Sequence, residues 1–298
     1  MYKPFDYLRP RTLGEAIAAL KQEGAVALAG GTDLIVNIRG GKVFPELVVD
    51  LKGLPELKGI RKVQGGGLWV GALTTMRELT TNLFIQKQYQ ALAEAASVMG
   101  CYEIQVRATI GGNICNASPG AETGPVLAIF NTAVEKFGPG GRQILPLEQF
   151  ILGPGRTALA RGEILTGFIL PPPPPPPGSG TTYLRRSRIK GMDLASVGVA
   201  VLAGPPGPDG KREIRVAAGA VLPTPARVGP VEDILSQGPL TPERVRQAKE
   251  KFAEIIAPRA SSLRATPEYK KKVIGELMEM ALAKLSALEY RIEEVALI

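Results

Sequence analysis

No histidine occurs among the 298 residues of the chain. This removes the commonest general base, the commonest metal ligand and every Ser-His or Cys-His nucleophile arrangement. Cysteine is nearly as scarce. Cys101 and Cys115 are too few to hold a structural zinc or an iron–sulfur cluster unaided, and they do not resemble the framework of a secreted disulfide protein. Aromatic residues make up 5% of the chain, which leaves little for stacking nucleobases. No run of about eighteen apolar residues is present, so no membrane insertion is expected. The opening MYKPFDYLRP lacks the charged-then-apolar pattern of a signal peptide, and a cytoplasmic location is the default expectation.

What is present is ordinary for a globular protein: 45% apolar and 21% charged residues, enough to bury a core and to stay soluble. The length exceeds that of a usual single core, so two domains, or one with subdivisions, are expected. The formal charge of +8 admits an anionic ligand or a nucleic acid. Basic residues cluster only modestly, at Arg185, Arg186, Arg188 and Lys190 and at Lys270 to Lys272. With so few aromatics, that distribution argues against nucleic acid.

Thr12-Leu13-Gly14-Glu15 fits a capping box, and the stripe Ala16, Ile17, Ala19, Leu20 predicts a helix that closes before Gly24. AVALA at 25–29 and LVVDL at 47–51 read as strands, as does the end of GGGLWVGAL at 65–73. A helical region is predicted from TTMREL through ALAEAASVMG, with strands at 131–137 and 164–170. Seven prolines at 171–177 predict a polyproline II rod of about 22 Å and a domain boundary. Beyond it come a basic loop, a small-residue strand or helix, a strand at 213–222, and two helices opened by Thr241-Pro242-Glu243 and Thr266-Pro267-Glu268.

Two segments raise a common question. ALAGGTDL (27–34) and TIGGNICNASPGAE (109–122) each follow apolar sequence with a glycine pair and then hydrogen-bonding side chains. Glycines at a strand end permit positive φ and close ligand approach, and their amides attract phosphate. Two such loops could grip the two phosphates of a dinucleotide, with Thr32, Thr109 and Asn113 as side-chain donors. Neither matches the G-x-x-x-x-G-K-[ST] loop or a Rossmann G-x-G-x-x-G. A glycine pair also occurs in ordinary turns.

Taken in order, AGGTDL, VVDL, GALTT, ATIGGNICNASPGAE, GEIL and YLRRSRIKGMDLASV resemble the FAD-binding medium subunit of molybdenum hydroxylases, the xanthine dehydrogenase and carbon monoxide dehydrogenase flavoproteins. The resemblance spans nearly the whole chain. It implies an α+β fold: a PCMH-type FAD-binding domain of two subdomains, here 1–55 and 56–172, then a C-terminal α+β domain, 178–298, with a three-stranded sheet and helices. By position, Ala29, Gly30, Gly31, Thr32, Asp33 and Leu34 resemble the first pyrophosphate loop, and Thr109, Ile110, Gly111, Gly112 and Asn113 the second. Glu122 stands where the family has aspartate, at a ligand of the adenosine-side ribose. Leu165 aligns with an apolar position that packs on the cofactor, and Arg185 with a lysine near the isoalloxazine. Each has a plainer reading: Leu165 as buried strand, Asp33 as an Asx-turn residue, Arg185 as part of a solvated basic face, and Cys115 as a small buried residue.

The resemblance implies noncovalent FAD, since histidyl attachment is impossible without histidine, and no catalytic residue or metal site on this chain. It also implies electron transfer from iron–sulfur clusters through FAD to a final acceptor, which could be NAD, quinone, ferredoxin or oxygen. Amides and positive charge near the flavin would stabilise its reduced anion. Molybdopterin and iron–sulfur clusters are expected only on partners, a large and a small subunit, in a dimer of heterotrimers. Two further readings stay open: a free-standing PCMH-type flavin oxidase or dehydrogenase, which would need a base from tyrosine or a buried carboxylate, and a noncatalytic nucleotide-binding scaffold subunit.

Overall fold

The structure is a computed structural model and describes residues 3–173, 179–259 and 264–285. They form two compact units. The first holds the residues up to Leu79, Cys101–Ser118 and Asn131–Pro172; the second holds Thr80–Gly100, Pro119–Phe130 and those from Pro173 on. Two helical stretches from the first half of the sequence thus pack with the C-terminal residues. Pro174–Gly178 lie outside the described residues, and most of the expected proline rod with them.

The first unit opens with a parallel sheet of β1 (Asp6–Leu8), β2 (Ala25–Leu28) and β3 (Leu47–Asp50), in the order β1-β3-β2. Parallel neighbours need a crossover, and α1 (Leu13–Leu20) and α2 (Leu34–Arg39) supply the connections. The Thr12 side chain accepts from Glu15 N at 3.1 Å, while Glu15 reaches back to accept from Arg11 N at 2.7 Å, one residue beyond a standard box. The predicted stripe of α1 is buried, and removing Ile17 and Leu20 from water stabilises the unit by roughly 2 kcal/mol each. It packs with Val49, Leu51, Leu54, Leu57, Leu73 and Ile164.

That core joins the parallel sheet to a five-stranded antiparallel one. Its strands are β4 (Ile60–Lys62), β5 (Leu68–Gly71), β6 (Ala133–Gly138), β7 (Gly141–Pro146) and β10 (Ile164–Leu170), ordered β4-β5-β10-β6-β7. A short hairpin of β8 (Ile151–Gly153) and β9 (Arg156–Thr157) follows the single-turn helix α9 (Leu147–Phe150). Two more short helices, α6 (Tyr102–Gln105) and α7 (Ile110–Cys115), complete this unit with most of α3 (Met76–Thr81).

The predicted helical region after β5 is three helices, α3, α4 (Leu83–Gln88) and α5 (Gln90–Ser97). Asn82 breaks the first from the second: its side chain accepts from the amides of Phe84 and Ile85, both at 3.0 Å, an N-cap that halts the preceding helix. In the second unit α4, α5 and α8 (Thr123–Ile129) accompany an antiparallel sheet of β11 (Gly180–Arg186), β12 (Val197–Ala203), β13 (Ile214–Gly219) and β14 (Ala226–Arg227). The small-residue stretch is therefore a strand, and a two-residue edge strand extends the implied three. Helices α10 (Gly229–Ser236), α11 (Pro242–Ile255) and α12 (Pro267–Lys284) pack on the sheet. Thr241 and Thr266 cap the last two as their sequence requires.

Candidate functional site

Both glycine pairs fall in the first unit, and the chain brings them together. The first lies beyond the C-terminal end of β2, at the edge of the parallel sheet where α/β proteins place ligands. A Cβ on Gly30 would stand 2.0 Å from the Arg107 carbonyl oxygen and 3.1 Å from Ala108 Cα, so the first turn lies directly on the residues that lead into the second. A Cβ on Gly112 would stand 4.0 Å from Ala29 Cβ. Residues some eighty positions apart thus meet at a backbone contact that only glycine at position 30 permits.

The two turns differ in what they offer. Among the described residues, the amides of Gly30, Gly31, Thr32 and Asp33 donate to no protein acceptor, and the Thr32 side chain has no protein partner. Four consecutive half-buried or exposed donors are thus left to water or to a ligand. The second segment, expected as a loop, is the start of α7. Ile110 N donates to Thr74 O at 2.9 Å, Gly111 N to Ala72 O at 2.8 Å, Gly112 N to the Thr109 hydroxyl at 3.0 Å and Asn113 N to Thr109 O at 2.9 Å. Its amides are consumed. The reason is local: Thr109 is an N-cap, and a Cβ on Gly111 would stand 2.6 Å from Ala72 O, so glycine there lets the helix lie against the end of β5. The Thr109 hydroxyl, used as an acceptor, keeps its own proton to donate.

Leu165 is buried in β10, on which α7 packs, next to a register shift between Leu165 and Gly167. Leu34 opens α2, and Asp33 stands before it without making a side-chain cap. Cys115 ends α7; loss of solvation pushes its thiol up to about 12, which makes it a poor thiolate nucleophile at neutral pH.

Glu122 and Arg185 belong to the second unit, and they bind each other. Arg185 Nη1 donates to Glu122 Oε1 at 2.8 Å and to Asp193 O at 2.9 Å, with side chains 10% and 4% exposed for the arginine and glutamate. This answers the solvated-face reading of Arg185: its side chain is buried and paired. Burial raises the Glu122 pKa above the ordinary carboxylate value, and Arg185 only partly offsets this. Beside them the buried Tyr183 phenol is held well above its usual range, by burial first and then by the Glu122 charge.

Sequence reading missed a polar chain at the same edge of the parallel sheet. Tyr7 donates to Asp50 Oδ2 at 2.5 Å, and Asp50 Oδ1 accepts from Lys52 Nζ at 2.6 Å and from Lys52 N at 3.0 Å. Lys52 Nζ also reaches Ala29 O, at 3.3 Å. The signal available was an aspartate ending a strand of apolar residues, LVVD. No group of three or more potential metal ligands occurs among the described residues, and no described helix is long and apolar enough to cross a membrane.

An α+β chain with open main-chain donors at a parallel-sheet edge, and a separate sheet-and-helix unit after it, has the makings of a dinucleotide-binding protein. Comparison with known proteins names the family. Residues 3–173 match the model of the FAD binding domain in molybdopterin dehydrogenase, and residues 182–285 that of the CO dehydrogenase flavoprotein C-terminal domain. The xanthine dehydrogenase FAD-binding subunit of Escherichia coli O157:H7 is 32% identical over 294 residues, covering 96% of this chain and 100% of that one. The carbon monoxide dehydrogenase medium chain of Hydrogenophaga pseudoflava is 34% identical over 284 residues, with 93% and 96% covered. Among solved structures, reconstituted CO dehydrogenase from Oligotropha carboxidovorans superposes with a TM-score of 0.90 at 30% identity, covering 96% of this chain and 99% of that one. The chain belongs to the FAD-binding subunits of molybdenum hydroxylases, and is an oxidoreductase component.

Proposed function

We propose that the chain holds FAD noncovalently and relays electrons from iron–sulfur clusters on a partner to a final acceptor. The observation that carries this reading is the run of open amides at Gly30–Asp33, pressed against the segment that leads into α7. The residues fit the group. Four successive N–H donors and the Thr32 hydroxyl suit a diphosphate, and Ile110 and Leu165 supply apolar surroundings. Bound FAD supplies redox chemistry that no side chain of this protein offers.

The remaining roles fall to named residues. Ala29–Leu34 hold one end of the diphosphate by main-chain donation; at Thr109–Asn113 the Thr109 hydroxyl and the Asn113 side chain contribute, rather than the α7 amides. Glu122 takes the adenosine-side ribose through Oε2 while Arg185 fixes Oε1. Arg185 acts through that pairing: its charge is matched by Glu122 and holds the carboxylate in place. Two cysteines leave the clusters and molybdopterin to partners, a large and a small subunit assembled with this chain as a dimer of heterotrimers. The domain division is proposed as 1–55, 56–172 and 178–298, in the cytoplasm. The chain has no histidine to serve as base, which favours the relay over a free-standing oxidase.

Two measurements test this. The purified chain, reconstituted with FAD, is expected to show flavin absorption bands; failure to bind FAD overturns the reading in favour of a scaffold. Native purification is expected to bring molybdenum-containing and iron–sulfur subunits along with it. A chain that turns over substrate alone contradicts the relay.

A further inference from the structure

The chain Tyr7–Asp50–Lys52–Ala29 is unexplained by packing. Its anchor is Asp50, 4% exposed at the end of β3, whose register partner Leu28 is the last residue of β2. Asp50 takes the Tyr7 hydroxyl on Oδ2 and both the amide and the ammonium of Lys52 on Oδ1. Burial alone would raise its pKa, but the hydrogen bonds from Lys52 and Tyr7 outweigh this and leave it below the ordinary value, so the anchor is anionic at neutral pH. An ammonium has three protons. Two of those on Lys52 are assigned, to Asp50 and to the Ala29 carbonyl.

The second contact matters because Ala29 O and Gly30 N belong to one peptide group. In a planar trans peptide the C=O and the N–H point in opposite directions. Holding the carbonyl fixes the amide. Gly30 has no side chain of its own to set this peptide plane.

We infer that Lys52, oriented by Asp50 and Tyr7, is a positioning residue for the diphosphate donor of the first turn: it pins the Ala29 carbonyl and thereby aims the Gly30 N–H away from itself, toward the anion. The inference rests on the FAD reading above and gives Lys52 no contact with the cofactor. It accounts for a lysine held at 32% side-chain exposure by a buried aspartate beside a turn of open amides.

The experiment uses the full chain stripped of flavin and titrated with FAD, followed by flavin fluorescence, together with the melting temperature of each flavin-free protein. Lys52→Met keeps the length and removes the donor; it is expected to weaken FAD binding by about tenfold, the scale of one charge-assisted hydrogen bond. Lys52→Arg restores a cationic donor and is expected to stay within about threefold of the parent. Flavin-free Lys52→Arg is expected to melt within about 2 °C of the parent, and Lys52→Met lower because it leaves the buried Asp50 carboxylate without its ammonium; FAD binding is therefore compared at a temperature well below both transitions. Should Lys52→Met fail to fold, Lys52→Leu, which likewise has no donor, takes its place under the same criterion. Undiminished FAD binding in the neutral variant overturns the inference, as does an equal loss in the arginine variant. A parent chain that binds no FAD overturns the functional reading itself.

Discussion

The two glycine pairs look alike in sequence and do opposite things. Gly30-Gly31 follows a parallel strand and leaves its amides without protein acceptors; Gly111-Gly112 sits in the first turn of α7 with every amide engaged. The neighbour decides. Thr109 precedes the second pair and caps a helix, which draws the following amides inward, whereas no side chain caps α2 after the first pair. A glycine pair therefore marks close approach, and only its hydrogen-bond ledger says whether a ligand or the protein itself comes close.

Several substitutions sharpen that contrast. The largest effects are expected at the glycines that touch backbone. Gly30→Ala sets a methyl 2.0 Å from Arg107 O and Gly111→Ala one 2.6 Å from Ala72 O, so each should destabilise the first unit by about 3 kcal/mol or more, read by urea denaturation. If Gly30→Ala is tolerated, the two turns are not in the contact described.

A control lies in the second unit, where Glu94 accepts from Lys284, Tyr183 N, Thr182 and Gln90. Burial pushes its pKa up, yet those bonds win and hold it below the ordinary carboxylate value. A depressed carboxylate gives stability that is complete above its unfolded pKa and is lost as pH falls through the lower folded value. Glu94→Gln should cost about 2 kcal/mol at neutral pH, and the gap to the parent should narrow as pH falls through the lowered carboxylate pKa. A gap independent of pH contradicts the assignment.

Smaller effects separate the turns most cleanly. Thr109→Ala removes an N-cap and should cost about 1 kcal/mol of stability. Thr32→Val removes a hydroxyl without a protein partner. It should leave stability within about 0.5 kcal/mol while weakening FAD binding by roughly fivefold. The reverse pattern, stability lost at Thr32 and unchanged at Thr109, would exchange the roles given to the turns.

Much of the fold was legible because it rests on local signals. Thr12, Thr241 and Thr266 cap the helices they were predicted to cap, and alternation or apolar runs placed β2, β3, β5, β6, β10 and β13. The helical region after β5 was read as continuous because apolar periodicity persists through it, whereas Asn82 interrupts it by hydrogen bonding to its own following amides. The exposed β1 and short β4 carry too few buried residues to leave a pattern. At the candidate site the glycine pairs were visible in the sequence and the direction of their amides was not. Whether Gly111 N meets Ala72 O or a ligand depends on a contact across almost forty residues, which no local window contains. The mutual pairing of Glu122 and Arg185, and the Tyr7–Asp50–Lys52 chain, are likewise long-range.

The most direct test is amide hydrogen exchange, resolved by residue, on the flavin-free and FAD-loaded chain. The amides of Gly30, Gly31, Thr32 and Asp33 are expected to exchange fast without FAD and to slow markedly with it, while those of Gly111, Gly112 and Asn113 are slow in both states. Fast exchange at Gly111–Asn113 that FAD suppresses, with Gly30–Asp33 unaffected, would contradict the account.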